Sequence, residues 1–377
     1  MKVALVHDYL KEYGGAERVL EALHEIWPKA PIFTAIYSPN FLGPHRERIK
    51  KWDIRPSFLQ RFPFKEKLLS PSRFIAPWIF KSIDLSKYDL VVVSEAGTYV
   101  SPNFVKTGRK TKHLCYYHAP PRFLYGYPTA APWRSIWWRR ILFFFGQIPI
   151  HFLRLLDFEA SQRPQIAVAN SYETKARIEK FYRRKAKVIY PPVDIPERFH
   201  ETKKENFYLA GGRLARPKRV DLAIKAANKL KISLKIFGRD FQNYASELKK
   251  MSGKTIEFLG EITDEEKFKL MAKAKAYIFP AESEEFGITP VEAMAVGTPV
   301  IALRSGGVVE SVIEGKTGVF FKEATVGSLV EAIKKFEKME IKSVVCVSHA
   351  RRFSKERFVS EIKDLVNLMF KNKNIRR

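Results

Sequence analysis

Ala281-Glu-Ser-Glu-Glu-Phe-Gly-Ile-Thr-Pro-Val-Glu-Ala-Met-Ala-Val-Gly-Thr-Pro299 lies between two short apolar runs, Tyr277 to Phe279 and Val300 to Leu303. Continuous apolar runs of that length read as strands buried on both faces, as in parallel sheets. Glu284 and Glu292, eight positions apart, therefore fall at the carboxyl end of one strand and in the first turn of the following helix. Open α/β sheets bind ligands there. Thr289-Pro-Val-Glu292 fits a capping box, with Thr289 as N-cap, Pro290 at the first helical position, and Gly297 ending the helix. Glu292 thus has two readings, cap or ligand contact. Glu284 stands beside Glu285 just before Phe286-Gly287, where a glycine lets backbone amides approach a ligand and a helix start favours an anion. A phosphate there, with a polyhydroxyl group held by the two carboxylates, accounts for acidic side chains beside an anion site.

Working outward, Phe207-Tyr-Leu-Ala-Gly-Gly212-Arg213 begins as a strand and turns at Gly211 and Gly212, and a helix starts near Arg219. Arg213 and Lys218 fall in the strand-to-helix loop. A planar guanidinium and a compact ammonium suit a diphosphate and offset the charge that develops on a departing phosphate oxygen. Arg216 and Arg219 read equally as a solvated basic loop.

These segments resemble the family 4 retaining glycosyltransferases of the two-Rossmann-domain type, in pattern closest to bacterial O-antigen and lipopolysaccharide mannosyltransferases. That family carries a Gly-Arg loop with Lys five residues after the Arg, then Glu-x-Phe-Gly and a Glu eight positions after the first; Arg213 with Lys218 and Glu284 with Glu292 match both spacings. Gly14-Gly15-Ala-Glu17 after the first strand, His118 after a later one, Ala169-Asn-Ser171 and Pro191-Pro-Val-Asp194 extend the likeness over most of the chain.

The resemblance implies a GT-B fold, two Rossmann-like β/α/β domains facing each other across a cleft. It implies that Arg213 and Lys218 bind the donor diphosphate, that Glu292 binds the ribose hydroxyls, and that Glu284 with the Phe286, Gly287 and Ile288 backbone binds the donor sugar. Gly14 and Gly15 would approach sugar and phosphate, and His118 would lie near the anomeric centre. On the residues alone, His118 reads equally as a core histidine. Glu17 is divided between helix-dipole stabilisation and acceptor contact. The chain departs from the family at Leu234-Lys-Ile-Phe-Gly238-Arg, where many relatives have Gly-x-Gly; Gly238, and Ile262 in Leu259-Gly-Glu-Ile262, are the expected base-side contacts. Mannose from a guanosine diphosphate donor is suggested by the likeness of Val6-His-Asp-Tyr9 and Tyr117-His-Ala-Pro-Pro-Arg122 to O-antigen mannosyltransferases.

The 377 residues exceed the usual single-core size, and 46% hydrophobic content is globular. Strands are expected near 2–7, 31–36, 89–94, 112–117, 165–169, 187–190, 207–211, 232–237, 255–259, 276–280, 298–303 and 317–321, alternating with helices, which argues parallel sheets with crossover helices. The prolines of Tyr190-Pro-Pro-Val-Asp-Ile-Pro196 exclude helix and place the linker there. The expected domains are 1–190, binding the acceptor, and 197–354, binding the nucleotide sugar. By resemblance a last helix, about 355–377, crosses back to the first.

Cys115 and Cys346 fall in different domains, which argues against a disulfide framework and fits a reducing cytoplasm. Lys2-Val-Ala-Leu-Val6 is too short for a signal-peptide core and reads as the first strand. The chain has no Asp-x-Asp pair, which some other glycosyltransferases use to hold a divalent metal on the diphosphate, and Arg213 and Lys218 supply the charge, so metal-independent chemistry with no cofactor is expected.

The net charge of +27 asks for a partner. No acidic residue lies between Glu95 and Asp157, while nine cations there interleave with Trp133, Trp137, Trp138 and Phe143 to Phe145. The apolar run 141–153 is too short to span a bilayer, and it reads either as an interfacial segment on an anionic membrane or as core supporting the acceptor site. No recognised nucleic-acid motif accompanies the charge. The expected activity is retaining transfer of a hexose from a nucleotide sugar to a lipid-linked saccharide, on the inner face of the cell membrane. Its rivals are a basic lipid- or nucleic-acid-binding protein, an epimerase and a phosphorylase.

Overall fold

The computed structural model describes residues 1–63, 71–99, 102–127, 147–196 and 201–371; the expected basic and aromatic positions from Trp133 to Phe145 lie outside these. The described chain divides into two compact units. One holds Met1 to Pro192 and resumes at Glu356, and the other runs from Val193 to Lys355.

The first unit is built on seven parallel strands, β1 (Val3–His7), β2 (Ile32–Thr34), β3 (Ile54–Pro56), β4 (Leu90–Glu95), β5 (Lys112–Tyr117), β6 (Ile166–Ala169) and β7 (Lys187–Val188), in the order β3-β2-β1-β4-β5-β6-β7. Strands β1 and β4 are buried along their whole length, so they carry no polar alternation. Every strand was expected except β3, a three-residue edge strand that is partly exposed and ends in proline, where no ladder donor is needed. The last helix, Lys355–Lys371, belongs to this unit. Its Phe358, Ile362, Leu365, Val366 and Met369 share a core with Val3, Leu5, Leu20, Leu23 and Tyr116.

The second unit has six parallel strands, β8 (Tyr208–Gly211), β9 (Leu234–Phe237), β10 (Ile256–Gly260), β11 (Tyr277–Phe279), β12 (Val300–Leu303) and β13 (Gly318–Phe321), in the order β10-β9-β8-β11-β12-β13. The chain runs outward one way from β8 and the other way from β11. The loops leaving the carboxyl ends of those neighbouring strands therefore part, and the crevice between them is the place where open sheets take ligands. In the first unit the same reversal lies between β1 and β4. Among the described residues no helix is long and apolar enough to cross a membrane.

Candidate functional site

In the second unit the two sequence motifs occupy the loops after β8 and β11, and three contacts tie them together. Lys218 Nζ donates to Glu284 Oε1 at 2.6 Å. The Glu282 N–H donates to the Pro217 carbonyl at 3.1 Å. Arg219 pairs with Glu282 as well as with Asp221. Arg216 is engaged too, lying over the Tyr244 ring and pairing with Glu247, so neither arginine is merely solvated. Arg213 is exposed at the loop start, its guanidinium 5.6 Å from the centre of the Phe241 ring.

The glycines of this unit let backbones meet. Gly238 has φ +135, and a Cβ there would stand 1.6 Å from the Gly212 carbonyl oxygen. Gly238 is thus held to glycine by packing under the β8 turn, whatever it offers a base. Gly287, φ +86, is the N-cap of the helix Ile288–Ala295 and lies against the Phe279 ring. Phe286 is buried with its ring 5.5 Å from that of Phe353, so only its backbone is available to a ligand. Ile262 is partly exposed in the turn after β10.

The expected capping box is not formed. The helix starts two residues early, because Gly287 takes the N-cap with its left-handed backbone, and Thr289 and Pro290 lie inside the first turn. Glu292 reaches sideways instead, where Lys267 Nζ donates to its Oε1 at 2.7 Å. Gly297 ends the helix as expected: its N–H bonds the Met294 carbonyl and that of Thr298 the Ala293 carbonyl, the paired bonds of a glycine-terminated helix.

Sequence reasoning missed three groups. Lys267 is one. Gly306-Gly307, after β12, is another: the Gly307 N–H donates to the Glu284 carbonyl at 2.8 Å, and a Cβ on Gly306, φ +72, would sit 2.2 Å from that oxygen. The Gly-Gly pair itself was the available signal.

The third is the role of His7 and Asp8, which join the expected Gly14, Glu17 and His118 at the β1–β4 reversal of the first unit. Gly14 is the N-cap of the helix Gly15–Ile26, and its N–H donates to Glu17 Oε2 at 2.8 Å. Glu17 Oε1 faces His7 Nε2 at 3.5 Å, while His7 Nδ1 donates to the Ser94 carbonyl at 2.9 Å. Burial opposes charge on His7, yet Glu17 raises its pKa above the ordinary imidazole value. Burial likewise opposes the Glu17 carboxylate, and bonds from His7 and the Gly14 amide keep its pKa low. Next to them His118 Nε2 bonds Ser94 Oγ at 3.0 Å. Burial, then the neighbouring charge of His7, push the His118 pKa down to about 3, so this ring is neutral. The Asp8 carboxylate accepts three N–H groups, from Ala96, Thr98 and Tyr99, which fixes the loop after β4. Glu17 accordingly serves its helix and His7 at once, and His118 is both buried and next to the glycine loop.

Two family models match the chain in succession, that described as Glycosyltransferase Family 4 over residues 13–197 and that described as Glycosyl transferases group 1 over residues 194–353. The chain is 26% identical to the alpha-1,3/1,6-mannosyltransferase ALG2 of Mus musculus, over 93% of its own length and 92% of that protein's. It is 32% identical to the O-antigen chain mannosyltransferase RfbU of Salmonella typhimurium over 40% of its own length and 45% of that protein's. Its fold is that of Anabaena HepE, solved with UDP and glucose, at a TM-score of 0.71 and 19% identity over 97% of this chain and 99% of that one.

Proposed function

The chain belongs to the family 4 retaining glycosyltransferases and is a hexosyltransferase of the GT-B fold class, and we propose that it transfers mannose from GDP-mannose to a lipid-linked saccharide during synthesis of a cell-surface polysaccharide. The observation that carries the donor site is the Lys218–Glu284 bond, which joins the two motif loops at the reversal of the second sheet. An ammonium has three donors and Glu284 takes one, so Lys218 faces the diphosphate while fixing the carboxylate that accepts from the sugar hydroxyls. Arg213 binds the same diphosphate, and the Gly287 and Ile288 amides at the helix start offer further donors. Glu292 accepts from the ribose.

In the transfer step the bond from the anomeric carbon to the diphosphate oxygen breaks, and the acceptor hydroxyl attacks from the face the diphosphate leaves, passing its proton to the departing diphosphate oxygen. Arg213 and Lys218 meet the negative charge that grows on the leaving oxygen, and stabilisation of that kind is worth about 3 kcal/mol per preorganised group. No divalent ion is needed for it. Gly14, Gly15 and the neutral His118 ring are the first unit's candidates for contact with the sugar and phosphate.

Peripheral attachment to an anionic membrane, on the cytoplasmic side, brings the enzyme to its acceptor. It is supported by the helix Gln147–Ser161, on which Ile148 (65% exposed), Phe152 (60%), Leu155 and Phe158 recur at helical spacing on one exposed side, beside His151 and Glu159.

The test is a thermal-shift panel of nucleoside diphosphates and their sugars, since ligand at roughly 1,000 times its Kd stabilises by about 4 kcal/mol. A shift confined to guanosine compounds, followed by mannosyl transfer to a lipid-linked acceptor, is the expected result. No shift with any of them would remove the donor site.

A further inference from the structure

We propose that Lys267 is a positioning residue for the nucleoside end of the donor: its ammonium orients the Glu292 carboxylate to accept the ribose hydroxyls. The inference rests on the reading of Glu292 given above.

The helix Ile288–Ala295 buries Pro290, Val291, Ala293, Met294 and Ala295, and in the midst of them Glu292 is 1% exposed. A carboxylate so placed is costly unless a partner offsets its charge. The partner is not from its own helix, Ile288–Ala295, which holds no cation. It comes from the helix Asp264–Lys273: Lys267 Nζ lies 2.7 Å from Glu292 Oε1 and 2.8 Å from Asp264 Oδ1. That helix follows the Leu259–Ile262 turn, so one element carries both the expected base contact and the cation behind the ribose carboxylate.

Two further points favour a functional task. A buried ion pair contributes little to stability beyond what apolar residues of the same volume would give, so stability alone does not explain a charged pair among apolar neighbours. The triad of Asp264, Lys267 and Glu292 also carries two carboxylates for one ammonium. Neutral hydroxyl donors match such a carboxylate-rich group better than a phosphate would.

Binding of GDP and of 2′,3′-dideoxy-GDP to the full chain separates the possibilities. The wild type should prefer GDP, and Glu292→Gln should lose that preference. Lys267→Met should weaken GDP by about tenfold or more, as expected for a lost charge-assisted bond, while leaving dideoxy-GDP within about twofold. Lys267→Arg should restore part of the preference. Lys267→Gln keeps a donor and with it the fold if the Met variant does not fold, and should show the same split at smaller amplitude.

Lys267 variants that keep the wild-type preference, or weaken both nucleotides equally, would overturn the positioning role. Glu292→Gln with its preference intact would instead overturn the ribose reading, and the inference with it.

Discussion

Lys218 Nζ and Glu284 Oε1 are 2.6 Å apart although 66 positions separate the residues in the chain, and the bond makes one site of the loops after β8 and β11. Removing either partner should therefore harm both functions. Lys218→Ala is expected to lower kcat by about 10²–10³, the usual loss of a preorganised charge stabiliser, and Glu284→Gln to raise KM for the nucleotide sugar more than it alters binding of the bare nucleotide. Steady-state kinetics with nucleotide-binding measurements check this; a Lys218→Ala enzyme with unchanged turnover would falsify the role.

Gly306→Ala tests the support beneath Glu284. The added Cβ would meet the Glu284 carbonyl at 2.2 Å from a backbone at φ +72. We expect a loss of about 1–3 kcal/mol in unfolding free energy and a weakened sugar site, read by denaturant titration and by KM. Gly212→Ala has no atom within 4 Å of its Cβ and carries only the conformational cost of φ +110, so it should be the milder of the two.

The His7–Glu17 pair makes stability depend on pH with a definite sign. The pKa of His7 is raised on folding, so its contribution is complete below the unfolded imidazole value and is lost as pH rises through the folded value. The pKa of Glu17 is lowered, so its contribution is present above the unfolded carboxylate value and is lost as pH falls through the folded one. Melting temperature should fall above the interval through His7 and below it through Glu17, and His118, whose pKa is lowered on folding, adds a decline as pH falls below the unfolded imidazole value. His7→Asn should flatten the alkaline limb, and an unaltered alkaline slope would count against the charged imidazole.

Transfer should be insensitive to chelators. If Arg213 and Lys218 carry the diphosphate charge, dialysis against EDTA leaves the rate of sugar transfer unchanged, whereas restoration of a lost rate by added magnesium or manganese would assign that charge to a metal.

Ile148→Ser with Phe152→Ser should reduce co-sedimentation with vesicles containing anionic lipid while leaving nucleotide binding intact. The wild type should release progressively as salt is raised, because each cation near an anionic leaflet adds only roughly 1 kcal/mol and is screened.

Strand positions and the two motif loops were legible because each is a local pattern: an apolar run, a Gly-Gly turn, a carboxylate spacing. Thr289-Pro-Val-Glu292 misled for the same reason. The pattern does not say whether Glu292 turns back to its own helix start or sideways to Lys267, 25 positions away, and only the left-handed backbone of Gly287 decides it. Lys267 left no trace in the sequence, since it stands among the charges of Asp264-Glu-Glu-Lys267 and reads as helix surface. His7 was quoted as part of a family likeness, yet its pairing with Glu17 depends on β1 and its helix meeting side by side. Strand β3 offered three residues and one proline, too little for a period to register.

The helix Lys355–Lys371 adds a constraint on how the molecule comes into being. Val3, Leu5 and Leu20 leave the ribosome long before Phe358, Ile362 and Met369, which share their core. The first unit is thus completed only after the second has been synthesised, while Val193 to Lys355 can fold from its own contiguous stretch. During elongation the inner face of β1 waits without its cover, and a chain stopped before the last helix would leave that face open to chaperones or to aggregation.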